Sequence, residues 1–194
     1  RDRSVSRGLG DVYKRQERYS NSTREVAQDG RRGALMLTIS IKHPDAERFI
    51  DAKVDTSKVT GANVSVKIDD EFMRAAIAGK PYHQQFPIDA EKPMYEQDID
   101  ARALWKKIIH NAWKSAEPGV LFWDTILRES VPDCYADEGF NTVSTNPCGE
   151  IPLCPYDSCR LLALNLYSYV DKPFTAEASF DFAKFRDHVG KAMR

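Results

Sequence analysis

Apolar and polar positions recur along the chain with two different periods. Ala34 to Ile41 reads ALMLTISI, a mostly apolar run that predicts a strand; it follows the turn-forming pair Asp29-Gly30 and is broken by His43-Pro44. Pro44 suits the first turn of a helix, where its missing N–H costs nothing, and Phe49 and Ile50 then share one side of a short helix reaching Lys53. From Ala62 to Ile68 the period is two: Val64, Val66 and Ile68 fall on one face, Ser65 and Lys67 on the other, which predicts a strand. Asp70 is the expected cap of a helix carrying Phe72, Met73, Ala76 and Ile77, stopped at Gly79-Lys80-Pro81.

Residues 81–97, with prolines at 81, 87 and 93, read as a loop. The strongest helical pattern follows: Ala101, Leu104, Trp105, Ile108, Ile109, Ala112 and Trp113 recur at steps of three and four, with Asp98 or Asp100 as cap and Glu117-Pro118-Gly119 as the stop. Val120 to Leu127 reads as another helix, and Phe180, Ala183, Phe185 and Val189 predict a last one after Thr175. Strands mixed with helices of crossover length point to the α/β class.

Composition narrows this. The 194 residues are 42% hydrophobic and 29% charged, as expected of a soluble globular domain. Lys+Arg number 28 and Asp+Glu 29; a net charge of -1 argues against broad nucleic-acid binding. No run approaches the roughly 18 apolar residues of a membrane span, and no signal-peptide pattern opens the chain, so a cytoplasmic location is expected. Residues 1–32 hold nine Lys/Arg against five Asp/Glu, so the N-terminal end is basic and the remainder acidic. Residues 1–20 have no apolar periodicity, and Gly8 to Gln16 resembles translated sequencing adapter. They read as a foreign or disordered segment, alternatively as a flexible basic tail, and 21–194 as the folded part.

The first 133 residues hold no cysteine; Cys134, Cys148, Cys154 and Cys159 then fall within 26. The intervals of 13, 5 and 4 residues fit zinc-ligand pairs only at the last, and no Cys-x-x-Cys is present. A cluster of small buried hydrophobes and a reactive thiol are the other readings. The thiol reading centres on TVSTNPCGEIPL, Thr142 to Leu153, where Pro147 stiffens the approach to Cys148 and Gly149 permits a tight tip. In an extended segment Asn146, Cys148 and Glu150 point the same way, which would aim an amide, a thiol and a carboxylate at one pocket. An amide can orient hydroxyls and a carboxylate can accept a proton.

Asn146-Pro147-Cys148-Gly149-Glu150-Ile151-Pro152-Leu153 resembles the finger-loop motif of the ribonucleotide reductase large subunit, in the form used by the adenosylcobalamin-dependent class II enzymes. Gly30-Arg31-Arg32-Gly33-Ala34 with Leu35-Met36 resembles that family's specificity loop between effector and substrate sites. His43-Pro44-Asp45, Asn63-Val64-Ser65-Val66 with Phe72-Met73, Glu117-Pro118-Gly119 and Phe122-Trp123-Asp124 match further blocks, over residues 28–170. Around Cys159 the match is looser: Leu161, Asn165 and Leu166 fit, while Arg160, Leu162 and Ala163 do not.

The resemblance implies part of a ten-stranded α/β barrel including the finger loop, and an internal fragment of a catalytic subunit, inactive alone. It implies reduction of ribonucleotides, diphosphates foremost, to deoxyribonucleotides. A radical from adenosylcobalamin would take hydrogen from Cys148, whose thiyl would abstract the 3′ hydrogen. Glu150 would accept the 3′-OH proton, Asn146 would hold the ribose hydroxyls, and Cys159 would be one of two reducing thiols. The implied partners are the ribonucleotide, dNTP or ATP effectors, a thioredoxin-like or dithiol reductant and a second copy in a homodimer. No metal ligands, nucleic acid or membrane are implied for these residues. A diiron or glycyl radical source, or a non-catalytic α/β nucleotide-binding or regulatory domain, are the alternatives.

Overall fold

The computed structural model describes residues 6–28, 31–55 and 57–194. They divide into two units, Arg1–Ser158 and Cys159–Arg194. The first unit opens with α1 (Ser6–Glu25), which spans most of the segment set aside above, and a two-stranded ribbon, β1 (Ala27–Gln28) with β2 (Arg31–Arg32). Asp29 and Gly30, the expected turn, lie outside the described residues. The apolar run becomes β3 (Met36–Ser40), and α2 (Ala46–Ile50) continues as a 3-10 turn to Lys53, burying Phe49 and Ile50. The alternating segment is β4 (Asn63–Ile68).

Next come α3 (Asp70–Ala78), β5 (Pro81–Phe86), β6 (Tyr95–Asp100), α4 (Ala101–Ser115), β7 (Gly119–Phe122) and α5 (Trp123–Glu129). The cap of α3 is Asp69 rather than Asp70, its carboxylate accepting from Phe72 N at 2.7 Å. Asp100 caps α4 by accepting from Ala103 N. The prolines at 81–97 do not make a loop: β5 and β6 pair antiparallel from Pro81↔Asp100 to Phe86↔Tyr95. Proline is tolerated at the ends of such a pair, here at 81 and 87. The segment 120–127 is a strand followed by a helix, because Val120 and Leu121 pair with β4.

β3, β4 and β7 form a parallel sheet with β4 at its centre. Val64, Val66 and Ile68 are buried in the core formed with Ile41, Phe49, Ile50, Phe72, Tyr82, Leu104 and Ile108. Ser65 is buried on the other face, as a strand covered on both sides requires. The first unit ends in a short hairpin, β8 (Ser144–Thr145) with β9 (Pro152–Leu153). The second unit holds a 3-10 turn at Leu166–Tyr169, β10 (Val170–Asp171), β11 (Ser179–Phe180) and α6 (Phe182–Ala192), around Tyr169 packed on Phe180, Phe185 and His188.

The expected ten-stranded barrel is not what these strands build. Among the described residues there are one three-stranded sheet and four two-stranded ones, and none closes on itself. Barrel closure requires every strand to have two neighbours. β3 and β7 each have one, and the other strands are used up in local antiparallel ribbons. The α/β class stands; the barrel does not. No described helix is long and apolar enough to cross a membrane.

Candidate functional site

Cys148 lies in the turn between β8 and β9. Ser144 faces Leu153 and Thr145 faces Pro152. The pairing is prolonged on both sides by Val143 N donating to Leu153 O (2.9 Å) and Asn146 N donating to Ile151 O (3.1 Å). Gly149 N donates to Asn146 O at 3.0 Å, closing a four-residue turn with Pro147 second in it, the position its fixed φ suits. Gly149 has φ 90°, a value that favours glycine.

This corrects the extended reading of residues 146–150. Asn146 is 3% exposed, and its Oδ1 accepts from Ile151 N at 3.0 Å. Cys148 and Glu150 are exposed. Amide, thiol and carboxylate therefore share one turn, but the amide closes it from below while the other two reach solvent.

The hairpin is tied to the parallel sheet by side chains. Asn63 Nδ2 donates to Pro147 O and Lys67 Nζ to Val143 O, each at 2.5 Å. Thr38 and Ser144 hydroxyls are 3.5 Å apart. The Lys67 ammonium also lies 3.7 Å from the centre of the Trp123 ring. Burial pushes the Lys67 amine down to about 8.

Beside the turn is a cleft of about 580 Å³ whose walls include Gly33, Ala34, Leu35, Lys53, Asn63 and Pro147, with Arg24 and Thr60 to Ala62. Arg24 Nη1 donates to Thr60 Oγ1 at 2.8 Å. Lys53 is ion-paired with Glu117, whose Oε1 also accepts from Val64 N at 3.1 Å. The end of α1 closes tightly on this region: a Cβ at Gly33 would lie 2.7 Å from Thr23 O. Glu117 neutralises Lys53 here, so the Arg24 guanidinium beside small-residue backbone is the cationic feature that suits an anionic ligand.

The structure thus brings Gly33 and Ala34 to the same cleft as Pro147, next to Cys148. Arg31, exposed on β2, is not among the described residues that line it. Gly30 and the Arg32 side chain lie outside the described residues. Cys159 opens the second unit and is exposed. Cys134 donates its thiol to Val131 O, and burial, then Asp157 and Asp133, push the Cys154 thiol up. None of the four is in a disulfide. Sequence reasoning passed over Lys67 and Glu117 as site residues. The alternation along β4 was the available signal for Lys67; the Glu117 contact to Val64 N had none.

The family model for the ribonucleotide reductase barrel domain matches residues 3–194. The chain is 37% identical over 178 residues to the vitamin B12-dependent ribonucleoside-diphosphate reductase of Thermoplasma acidophilum, covering 91% of this chain and 22% of that protein. It is 32% identical over 179 residues to the vitamin B12-dependent ribonucleotide reductase of Streptomyces clavuligerus, 80% of this chain and 18% of that one. The Mycobacterium tuberculosis vitamin B12-dependent ribonucleoside-diphosphate reductase is also 32% identical over 179 residues, 91% and 24% covered. The chain spans less than a quarter of the length of these relatives.

Proposed function

The chain belongs to the ribonucleotide reductase barrel-domain family, and from that premise we propose that within its full-length protein it reduces ribonucleotides, diphosphates foremost, to 2′-deoxyribonucleotides through a thiyl radical at Cys148. The observation that carries this reading is the turn: a solvent-reaching thiol held between Pro147 and a left-handed Gly149, over a buried, hydrogen-bonded Asn146. Reaction by hydrogen-atom transfer needs a sulfur fixed in place and open to its partner, and this turn supplies both.

The same features fit adenosylcobalamin, the cofactor in the names of the relatives: an S–H that will meet a cofactor radical must stand clear of its own fold, and Cys148 is exposed. When bound, the cofactor supplies the radical that removes the Cys148 hydrogen. The Cys148 sulfur then takes the 3′ hydrogen of the ribose. Glu150, exposed two residues on, accepts the 3′-OH proton. Asn146, which the family resemblance assigns to the ribose hydroxyls, is buried with its Oδ1 on Ile151 N, so here it acts on the site by holding the turn that carries Cys148. The 2′-OH leaves as water with a proton from the reducing thiol pair, the pair's remaining hydrogen and two electrons go to C2′, and Cys148 returns its hydrogen to C3′ as the 3′-OH regains its proton from Glu150. Cys159 and a second thiol provide two electrons and become a disulfide, which a thioredoxin-like protein or dithiol reduces again. Gly30, Arg31, Arg32, Gly33 and Ala34 pass the identity of a bound dNTP or ATP effector to the substrate cleft, and the working unit is a homodimer.

The test is deoxynucleotide formation by the full-length protein without any partner subunit, with and without adenosylcobalamin. Formation only with the cofactor is expected. Activity that requires a diiron partner or an activating enzyme for a glycyl radical would overturn the cofactor assignment. Nucleotide binding with no reduction under any radical source would favour a non-catalytic domain.

A further inference from the structure

The alternation in β4 leaves Asn63, Ser65 and Lys67 on the face opposite the core side chains. Ser65 is covered by β7: a Cβ at Gly119 would lie 2.6 Å from its Oγ. Asn63 and Lys67 instead reach the hairpin, from the two ends of the strand. They are four residues apart, about 13 Å along a strand, and the carbonyls they hold, Val143 and Pro147, are also four residues apart. One bond falls where the chain begins the hairpin. The other falls on the peptide carbonyl immediately before Cys148.

We propose that Lys67, together with Asn63, is a positioning residue for Cys148, holding the finger-loop turn at a fixed distance and angle on the parallel sheet. The inference rests on the reading of Cys148 as the reacting thiol. A lysine on the central strand of a sheet is an unfavourable placement, since its ammonium loses water. Here a carbonyl acceptor and the face of Trp123 offset part of the loss. Lys67 is half-buried, and that burial lowers the proton affinity of its amine. The acceptors are backbone carbonyls, so the grip is indifferent to side chains at 143 and 147 and depends on the residue at 67 carrying a long donor.

The experiment uses the full-length protein with Lys67→Met, Lys67→Arg and Asn63→Ala. Lys67→Met keeps an apolar stem of similar length and removes the donor together with its charge and the ammonium contact to Trp123. Amide hydrogen exchange over residues 142–153 is expected to quicken about tenfold in Lys67→Met and in Asn63→Ala, with residues 101–115 unchanged. The kcat for deoxynucleotide formation is expected to fall about tenfold with KM held within about twofold, and Lys67→Arg to restore most of both losses. Unchanged exchange over 142–153 in both donor-deleting variants would overturn the proposal, as would faster exchange with kcat intact. A wild-type protein without reductase activity would overturn the function reading alone, and the exchange measurement would still decide whether Lys67 holds the turn.

Discussion

Replacing Asn146 by Ala removes a side-chain acceptor from the turn that carries Cys148. Its Oδ1 receives Ile151 N–H at 3.0 Å from a residue that is 3% exposed. Deleting the acceptor leaves that N–H without its partner, which costs about 1–3 kcal/mol when the donor is shut away from water. Ile151 is only half-buried, so water recovers part of the loss and the lower end, about 1–2 kcal/mol, applies. The bonds from Asn146 N to Ile151 O and from Gly149 N to Asn146 O remain, so the turn survives but opens more often. Because 1.4 kcal/mol is a factor of ten, opening should rise roughly 5–30-fold. The assay is hydrogen exchange at the Ile151 amide, compared between wild type, Asn146→Ala and Asn146→Asp. The Asp variant keeps an acceptor in the same place and should retain most of the protection. An Ala variant whose Ile151 amide exchanges within about twofold of wild type would refute the view that Asn146 closes the turn.

Gly149→Ala should cost about 1–2 kcal/mol through its φ of 90° alone, since the nearest atom to the added methyl is Leu121 Cδ2 at 3.9 Å; a neutral denaturation midpoint would contradict this. Phe72→Ala, at a fully buried ring packed edge-on against Tyr82, should lose about 3–5 kcal/mol in denaturant titrations. Ile77→Ala on the same helix, 73% exposed, should stay within about 0.5 kcal/mol. Lys67 gives a pH signature: folding lowers its pKa from 10.5 to about 8, so the unfolded chain holds more protons between those values. The penalty is fully present below pH 8 and is relieved as pH rises to 10.5; because the side chain keeps partial contact with water, solvent screening holds it well under the roughly 3 kcal/mol of the full shift. Wild-type stability should therefore rise relative to Lys67→Met over that window, and parallel profiles would contradict it.

The parts of the fold legible in the sequence are those where one face is apolar and the other is not. Val64, Val66 and Ile68 mark β4 because the core needs all three, and the spacing of Leu104 and Ile108 marks α4 for the same reason. The pattern overreached on α4: Trp113 is 81% exposed, while the inward position is held by Asn111, which donates to Ile50 O. The β5–β6 hairpin was hidden because its inward residues include Gln84, buried and bonded to Ile41 O, and because β6 alternates with Glu96 and Asp98. A buried amide that satisfies a backbone carbonyl carries no apolar signal. At the site, Pro147 and Gly149 marked the tight turn around Cys148, but they did not mark that the turn buries Asn146 away from Cys148 and Glu150. Whether residues 146–150 run extended or bend back depends on the Gly149-to-Asn146 bond and on where the hairpin docks. Docking through carbonyls of Val143 and Pro147 leaves no mark in the side chains of either residue.

The central claim is that Cys148 is the sulfur that takes the 3′ hydrogen, and release of tritium from a 3′-labelled ribonucleotide tests it most directly. In the full-length protein with adenosylcobalamin, Cys148→Ser should release none above background, because a hydroxyl is a far poorer hydrogen-atom relay than a thiol. Cys159→Ser, run beside it, should still release tritium while failing to complete deoxynucleotide over repeated turnovers. Substantial tritium release by Cys148→Ser would contradict the account.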